Sequence, residues 1–422
     1  MSSAIHCPEE AAQSPDKKRS RSHILANVIT IAAPREPAPE TRVALVPETV
    51  AALTRAGHSV IIETHAGLAA GHTDADYERA GASVVPGIDL AAIDVLAHVT
   101  PLPPEAIARL RRGAVTIGLM APFTDERLAA LTEAGVTALA FEKVPRTSRA
   151  QAMDVLSSQA LAAGYRCVLE AAIRLPRFFP LAMTAAGTVP PAKVVVLGIG
   201  VAGLQAIATA KRLGANVAAN DIRPSSAEEA RSVGATFIDV GLDTSEGTGT
   251  GGYARALGDD SAARQQAALA PHIADADVLI TTAGVPGQAA PRLATAEMVA
   301  AMRPGSVVVD MLAASGGNVE GSLPGQDVKV ASSRGDGEIT IVGLTVPAAD
   351  LPADASRLYA KNVQNMVNLL DTDDGFAVIF DDDILEGAAI THDGANRLEP
   401  APQPAPQEPA AEAEAPREGD EK

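Results

Sequence analysis

The sequence contains no tryptophan, only 3% aromatic residues and only two cysteines, Cys7 and Cys167. Two cysteines cannot build a disulfide framework, and no Cys-x-x-Cys pair occurs, so the composition fits a reducing cytoplasm. The N-terminus carries "DKKRSRS" and no apolar h-region, so it gives no sign of a secretory signal. No apolar run reads as a membrane span. The longest uncharged one, Val194–Ala210, holds three glycines and reads as strand, turn and helix. Positive charge is also scarce. The formal net charge of -18 argues against nucleic-acid backbones and against anionic membrane surfaces. No Ser/His/Asp set, metal-ligand cluster or partnered catalytic histidine is visible, and Lys143 is the only lysine between Lys18 and Lys193. No repeat of 20–50 residues is evident.

Apolar residues make up 47% of the chain, mostly Ala, Val, Leu and Ile, which suits parallel sheets covered by helices. From about Val28, β-branched runs ("NVITIAA", "HSVIIET", "IDVLAHV", "AVTIGLM", "VTALAF") alternate with helical stretches such as "PETVAALTRAG" and "DERLAALTEAG". That alternation implies a parallel sheet. "MDVLSSQALAAGYRCVLEAAIRL" reads as one long helix, and "TAAGTVPPAK" as a break. A second alternating series follows, from "KVVVLGIG" to "ITIVG". Within it sits the long glycine-rich stretch "LDTSEGTGTGGYARALGDD". The chain therefore divides into a polar extension (1–23), a first α/β domain (24–160, completed by 355–398), a second α/β domain (161–354) and a Pro/Ala/Glu-rich tail (399–422). Both ends read as unfolded. The fold class is two Rossmann-like, doubly wound parallel-sheet domains with a cleft between them.

"VVVLGIGVAG" places Gly198, Gly200 and Gly203 in GxGxxG spacing between a strand and a helix, and Asp221 follows about 20 residues later. Gly198 permits the turn, Gly200 lets a pyrophosphate approach, and Gly203 lets helix and strand pack. Val201 and Ala202 begin the helix, whose free N–H groups face the phosphates. Asp221, with Ile222 beside it, would accept hydrogen bonds from both adenosine ribose hydroxyls, favouring NAD over NADP. Arg223 qualifies this, since an arginine can hold a 2′-phosphate.

"RTSRAQAMDVLSSQA" concentrates arginines, a glutamine, an aspartate and serines between a strand and a helix. Read alone, Asp154 and Ser157 fit a helix cap and the arginines fit solvated side chains. At the level of longer strings the chain resembles the NAD(H)-binding alpha subunit, domain I, of proton-translocating NAD(P) transhydrogenase. Alanine dehydrogenase is a structural cousin of that domain. The resemblance runs from about Val28 to Leu398. It is carried by "RVALVPETV", "PRTSRAQAMDVLSSQALAAGYR", "TAAGTVPPAKVVVLGIGVAGLQAIATAKRLGA" and "MRPGSVVVDMLAASGGN".

The resemblance implies that Arg146, Gln151 and Asp154, with Arg149 and Ser157 beside them, hold the nicotinamide end of NAD(H). An amide needs both a donor and an acceptor, which an Arg/Asp pair supplies. Gln151 would bridge to a second nucleotide. Hydride would pass between NADH here and NADP+ on a partner subunit, with the protein orienting the rings and excluding water. No general acid or base is needed for that step. Gly252 and Tyr253 match a mobile loop that closes over the nucleotide, and Gly284 lies on a loop near adenine and ribose. The family usually has leucine at the position of Gly284 and often lysine at that of Gln288. The resemblance further implies a homodimer. It also implies membrane-spanning and NADP(H)-binding partner subunits, proton translocation, and a cytoplasmic position attached peripherally to the inner (plasma) membrane.

Two other readings are open. An alanine-type dehydrogenase would use a lysine and a histidine in domain one; Val99 and Ala121 stand there instead. A non-catalytic NAD-binding regulatory subunit would have no use for a loop that presents the nicotinamide face.

Overall fold

The structure, a computed structural model, describes residues 28–241, 259–285, 287–372 and 375–398. The N-terminal extension, the stretch that holds Gly252 and Tyr253, and the acidic tail lie outside these residues.

Six short strands open the chain: β1 (Thr30–Ala33), β2 (Ser59–Glu63), β3 (Ser83–Val85), β4 (Val95–Ala97), β5 (Val115–Gly118) and β6 (Thr137–Ala140). All pair in parallel, in the spatial order β3-β2-β1-β4-β5-β6. β4, β5 and β6 are buried on both faces, which is why they read as unbroken apolar runs. A hairpin of β7 (Ala182–Thr184) and β8 (Gly187–Val189) occupies the segment read as a Pro/Gly-rich break.

The second sheet follows: β9 (Lys193–Leu197), β10 (Asn216–Asn220), β11 (Thr236–Phe237), β12 (Val278–Thr281), β13 (Val307–Asp310), β14 (Asp327–Ala331) and β15 (Glu338–Gly343). Its order is β11-β10-β9-β12-β13-β15-β14, parallel except for β14. After a two-strand ribbon of β16 (Asp371–Thr372) and β17 (Gly375–Phe376), the chain returns to the first sheet. There β18 (Ala389–His392) runs antiparallel beside β6, and β19 (Ala395–Asn396) beside β18. The parallel cores of both sheets have the strand order 3-2-1-4-5-6, so each is a doubly wound Rossmann-like sheet with its own switch point.

Two long helices join the sheets. The helix Val155–Arg174 contributes Val155 to the core of the first sheet, and Cys167, Val168 and Ala171 to the core of the second. One rigid rod is thus shared by both cores. It begins at Val155 rather than at Met153, because Asp154 is its N-cap and Arg149–Met153 forms a separate 3-10 turn. The helix Pro352–Leu370 starts with proline at its first turn. It buries Tyr359, Val363, Met366, Val367 and Leu370 against the first sheet at helical spacing. The side chain of Ala355, near its start, packs on Ala162 of the other helix.

Candidate functional site

The second sheet's switch point lies between β9 and β12, and the chain leaves β9 through the glycine turn. Gly198 is in the left-handed region (φ +92°), and a Cβ there would stand 2.7 Å from the Ala283 nitrogen. A Cβ on Gly203 would stand 1.9 Å from the Gly198 oxygen. Packing alone therefore demands glycine at both positions. Gly200 differs: its φ is -77°, and a Cβ would meet nothing within 4 Å. The space before it is open. Gly200 caps the helix Val201–Arg212 with no side-chain hydrogen bond. The first N–H groups of that helix, from Val201, Ala202 and Gly203, have no intrahelical acceptor, and the positive end of the dipole faces the open space. The arrangement suits a phosphate.

A further glycine, on another element, fixes this turn. A Cβ on Gly164 would stand 2.1 Å from the Ala202 oxygen, so the helix Val155–Arg174 crosses the helix Val201–Arg212 in direct backbone contact. Sequence reading overlooked Gly164. Its only signal is one glycine in the middle of a strong helical pattern.

Asp221 follows β10. Its carboxylate is already engaged by the protein: Oδ2 accepts from the Ile199 N–H at 2.7 Å, and Oδ1 from the Arg223 N–H at 2.8 Å. The Arg223 guanidinium closes the same circuit. Its Nη2 donates to the Ile199 carbonyl at 2.7 Å, its Nε lies 3.3 Å from Asp221 Oδ1, and Nη2 lies 3.5 Å from Glu229 Oε2. Asp221, Ile222 and Arg223 are all half-buried. The acid thus shapes the turn itself, and its side chain is only 7% exposed.

The polar loop lies at the start of the helix Val155–Arg174. Pro145, Arg146, Thr147, Ser148, Ala150, Gln151 and Asp154 line a cavity of about 250 Å³. Asp154 Oδ1 accepts from the Ser157 N–H at 2.9 Å and Oδ2 from the Ser157 hydroxyl at 2.6 Å, so the pair does cap the helix. Gln151 is exposed, and no hydrogen bond of its side-chain amide is found among the described residues. Arg149 points elsewhere. It forms ion pairs with Asp382, at 2.6 Å, and Asp383. Hydrogen bonds from Arg149 hold the Asp382 carboxyl below the usual range, and the guanidinium is in turn held more firmly protonated. The turn before the helix is pinned from behind. Asn362 and Asn365 both donate to the Ala152 carbonyl, at 2.8 and 2.9 Å, and the Ser158 hydroxyl donates to Asn362 Oδ1. These asparagines, three apart on one helix face, were legible only as polar residues of an amphipathic helix. Ten residues separate Asp154 from Gly164. At a rise of 1.5 Å per residue, one helix therefore sets the loop about 15 Å along its axis from its contact with the helix that follows the glycine turn.

Thr282 and Ala283 continue β12 along the glycine turn, and the Thr282 hydroxyl donates to the Gly198 carbonyl at 3.0 Å. This strand end is held by buried Asn318, whose Nδ2 donates to the Ala283 and Pro291 carbonyls at 2.8 Å each. Gly284 is exposed, and a Cβ there would stand 2.3 Å from Leu312 Cδ1. Leu312 fills that space from the neighbouring strand end. Gln288 is exposed.

The first sheet's switch point, between β1 and β4, is closed by the protein itself. Glu36, 9% exposed, accepts from the Val99 N–H at 2.6 Å and from the Thr100 N–H at 3.0 Å and hydroxyl at 2.5 Å. An internal carboxylate sits where the fold would otherwise receive a ligand. Burial pushes its pKa up. Beside it, His98 is fully buried. Its Nδ1 donates to the Thr100 carbonyl and its Nε2 accepts from the Thr116 hydroxyl, both at 2.7 Å. Burial lowers its pKa to about 4. The Val99 side chain is buried in the core, and the Ala121 N–H donates to Glu142. Lys143 lies over the Phe123 ring, 5.3 Å from its centroid. Among the described residues no group of His, Cys, Asp and Glu is placed to hold a metal ion.

Similarities to known proteins bear on this architecture. The alanine dehydrogenase/PNT N-terminal domain matches residues 32–163, and the alanine dehydrogenase/PNT C-terminal domain residues 167–399. The chain belongs to the alanine dehydrogenase/PNT family. Within it, an NAD(P) transhydrogenase subunit alpha chain of Rhodospirillum rubrum is 43% identical over 377 residues, covering 86% of this chain and 97% of that one. The transhydrogenase structure from Sinorhizobium meliloti superimposes with a TM-score of 0.75 at 41% identity, covering 87% of this chain and 98% of that one. An L-alanine dehydrogenase structure gives 0.70 at 27% identity, covering 87% and 96%. The family accounts for two Rossmann-like sheets on one chain, and the transhydrogenase members are its nearer relatives among these.

Proposed function

We propose that this chain is the NAD(H)-binding subunit of a proton-translocating NAD(P)+ transhydrogenase, passing hydride between NADH held here and NADP+ held on a partner subunit. The observation that carries the reading is Gln151. It is an exposed amide beside Arg146 and Asp154 in a 250 Å³ cavity, on the helix whose Gly164 braces the glycine turn. The residues fit a dinucleotide: open space before Gly200, an uncapped helix start, and an acid at the end of β10. When bound, NADH supplies the hydride. The chain's own residues orient it. Gly198, Gly200 and Gly203 with the helix start hold the pyrophosphate, Asp221 the ribose, and Arg146 and Asp154 the carboxamide, while Gln151 reaches toward the second nucleotide. The hydride step moves no proton, and no acid–base residue is assigned to it.

The domain boundaries proposed from the sequence belong to the same reading, as do attachment to membrane-spanning and NADP(H)-binding subunits and a cytoplasmic position at the inner (plasma) membrane. Among the described residues no helix is long and apolar enough to cross a membrane. A homodimer is supported by the β7–β8 hairpin. Among the described residues its strands pair only with each other, and Phe178, Leu181, Met183 and Val189 stand exposed on and beside it. An isolated two-strand ribbon is marginal in water, and a second copy offers the same open edges and apolar side chains. The test of function is reconstitution. The purified chain, mixed with an NADP(H)-binding transhydrogenase domain, should transfer hydride between the nucleotides and do nothing alone. Alanine-dependent NAD reduction by the pure chain would overturn the proposal.

A further inference from the structure

We infer that Glu229 is a specificity-determining residue, one that holds Arg223 neutralised and thereby excludes a 2′-phosphate from the adenosine end of the site. The inference rests on the proposed NAD(H) site and deepens it. Arg223 is the only cation in the Asp221 circuit among the described residues, and an arginine at that position could hold a 2′-phosphate with its planar fork of donors. Here Nε and Nη2 are committed. Nη2 bonds the Ile199 carbonyl at 2.7 Å, Nε lies 3.3 Å from Asp221 Oδ1, and Nη2 lies 3.5 Å from Asp221 Oδ2 and from Glu229 Oε2. Glu229 is fixed for this task by the Ser225 hydroxyl, which donates to its Oε1 at 2.9 Å.

The charge balance decides the outcome. Asp221 and Glu229 place two carboxylates around one guanidinium, so the cluster carries net negative charge toward an incoming phosphate. Asp221 alone would leave the pair neutral, with Arg223 held by Asp221 and the Ile199 carbonyl but no longer outweighed in charge. The Arg223 side chain is only 16% exposed, so these interactions are weakly screened. Glu229, 35% exposed on its side chain, is the removable member, because Asp221 also holds the Ile199 N–H.

The experiment is equilibrium titration of NADH and NADPH with the full chain, its Glu229→Gln and Glu229→Ser variants, and the double variant Glu229→Gln/Arg223→Ala. Both single variants should bind NADPH about tenfold more tightly than the parent, with NADH affinity changed less than about threefold. The gain should shrink as salt rises and vanish in the double variant. A parent that binds NADH while the NADPH/NADH ratio stays unchanged in both single variants would overturn the inference and leave the functional proposal standing. A gain that persists without Arg223 would also overturn it. A parent that binds neither nucleotide would remove both.

Discussion

Gly164 and the Ala202 carbonyl meet so closely that a single methyl group would bring them to 2.1 Å. The contact ties the helix carrying the polar loop to the helix that follows the glycine turn. Gly164→Ala should therefore cost about 1–3 kcal/mol through overpacking. It should also weaken nucleotide binding, because the turn moves with its helix. Gly200→Ala should behave oppositely. A Cβ there meets nothing in the free protein, so thermal unfolding should be nearly unchanged while NADH affinity falls by about tenfold, or about 1.4 kcal/mol. Thermal melts beside NADH titrations of both variants check the contrast. Equal effects on melting would refute it.

Gln151→Asn should slow hydride transfer far more than it weakens NADH binding. The amide has no partner in the protein among the described residues, and shortening it by one methylene would withdraw it from the second nucleotide of the proposed reaction. Displacing reacting groups by about 1 Å can cost around a hundredfold in rate. Asp154→Ala should also reduce helix stability, because it removes the acceptor for the Ser157 N–H and hydroxyl. Single-turnover transfer with the NADP(H)-binding partner, alongside equilibrium titration, separates the two. An unchanged transfer rate in Gln151→Asn would reduce the loop to a cap.

Gly284 and Leu312 should be exchangeable only together. Gly284→Leu alone places a side chain where Leu312 Cδ1 already lies and should cost about 1–3 kcal/mol. Combined with Leu312→Ala it should recover most of that loss, giving a coupling of about 0.5–3 kcal/mol in a double-mutant cycle read by urea unfolding. Additive effects would show that the two positions do not share one space.

His98 should make stability fall with acid. Burial lowers its folded pKa to about 4 from 6.5, so its contribution is complete above pH 6.5 and is lost as pH falls toward 4. The expected loss is about 3 kcal/mol. Buried Glu36, with its raised pKa, acts in the opposite sense above its ordinary range. The histidine is isolated by comparison with His98→Asn, which keeps a donor for the Thr100 carbonyl. Unfolding midpoints between pH 7 and 4 should fall more steeply for the parent. Parallel curves would contradict the assignment.

Met183→Glu should dissociate the proposed homodimer without unfolding the chain, because Met183 is 72% exposed in the single chain. Light-scattering mass of parent and variant reads the outcome, and an unchanged mass would place any dimer contact elsewhere.

The sequence by itself determined what depends on neighbours along the chain. Parallel strands buried on both faces appear as runs such as "KVVVL", and helices as amphipathic stretches. The glycine turn has fixed spacing because strand, turn and helix follow one another directly. The family was legible too, through strings long enough to resemble it. The tertiary structure decided what depends on residues far apart in the chain. It set Gly164 against Ala202, turned Leu312 into the space beside Gly284, and closed the first switch point with Glu36. It also sent Arg149 to Asp382 and Asp383, and bound Arg223 between Asp221 and Glu229. No periodicity encodes such contacts. They follow from how closely two backbones approach and from which charges are buried together, and those distances exist only once the sheets and the shared helix are packed.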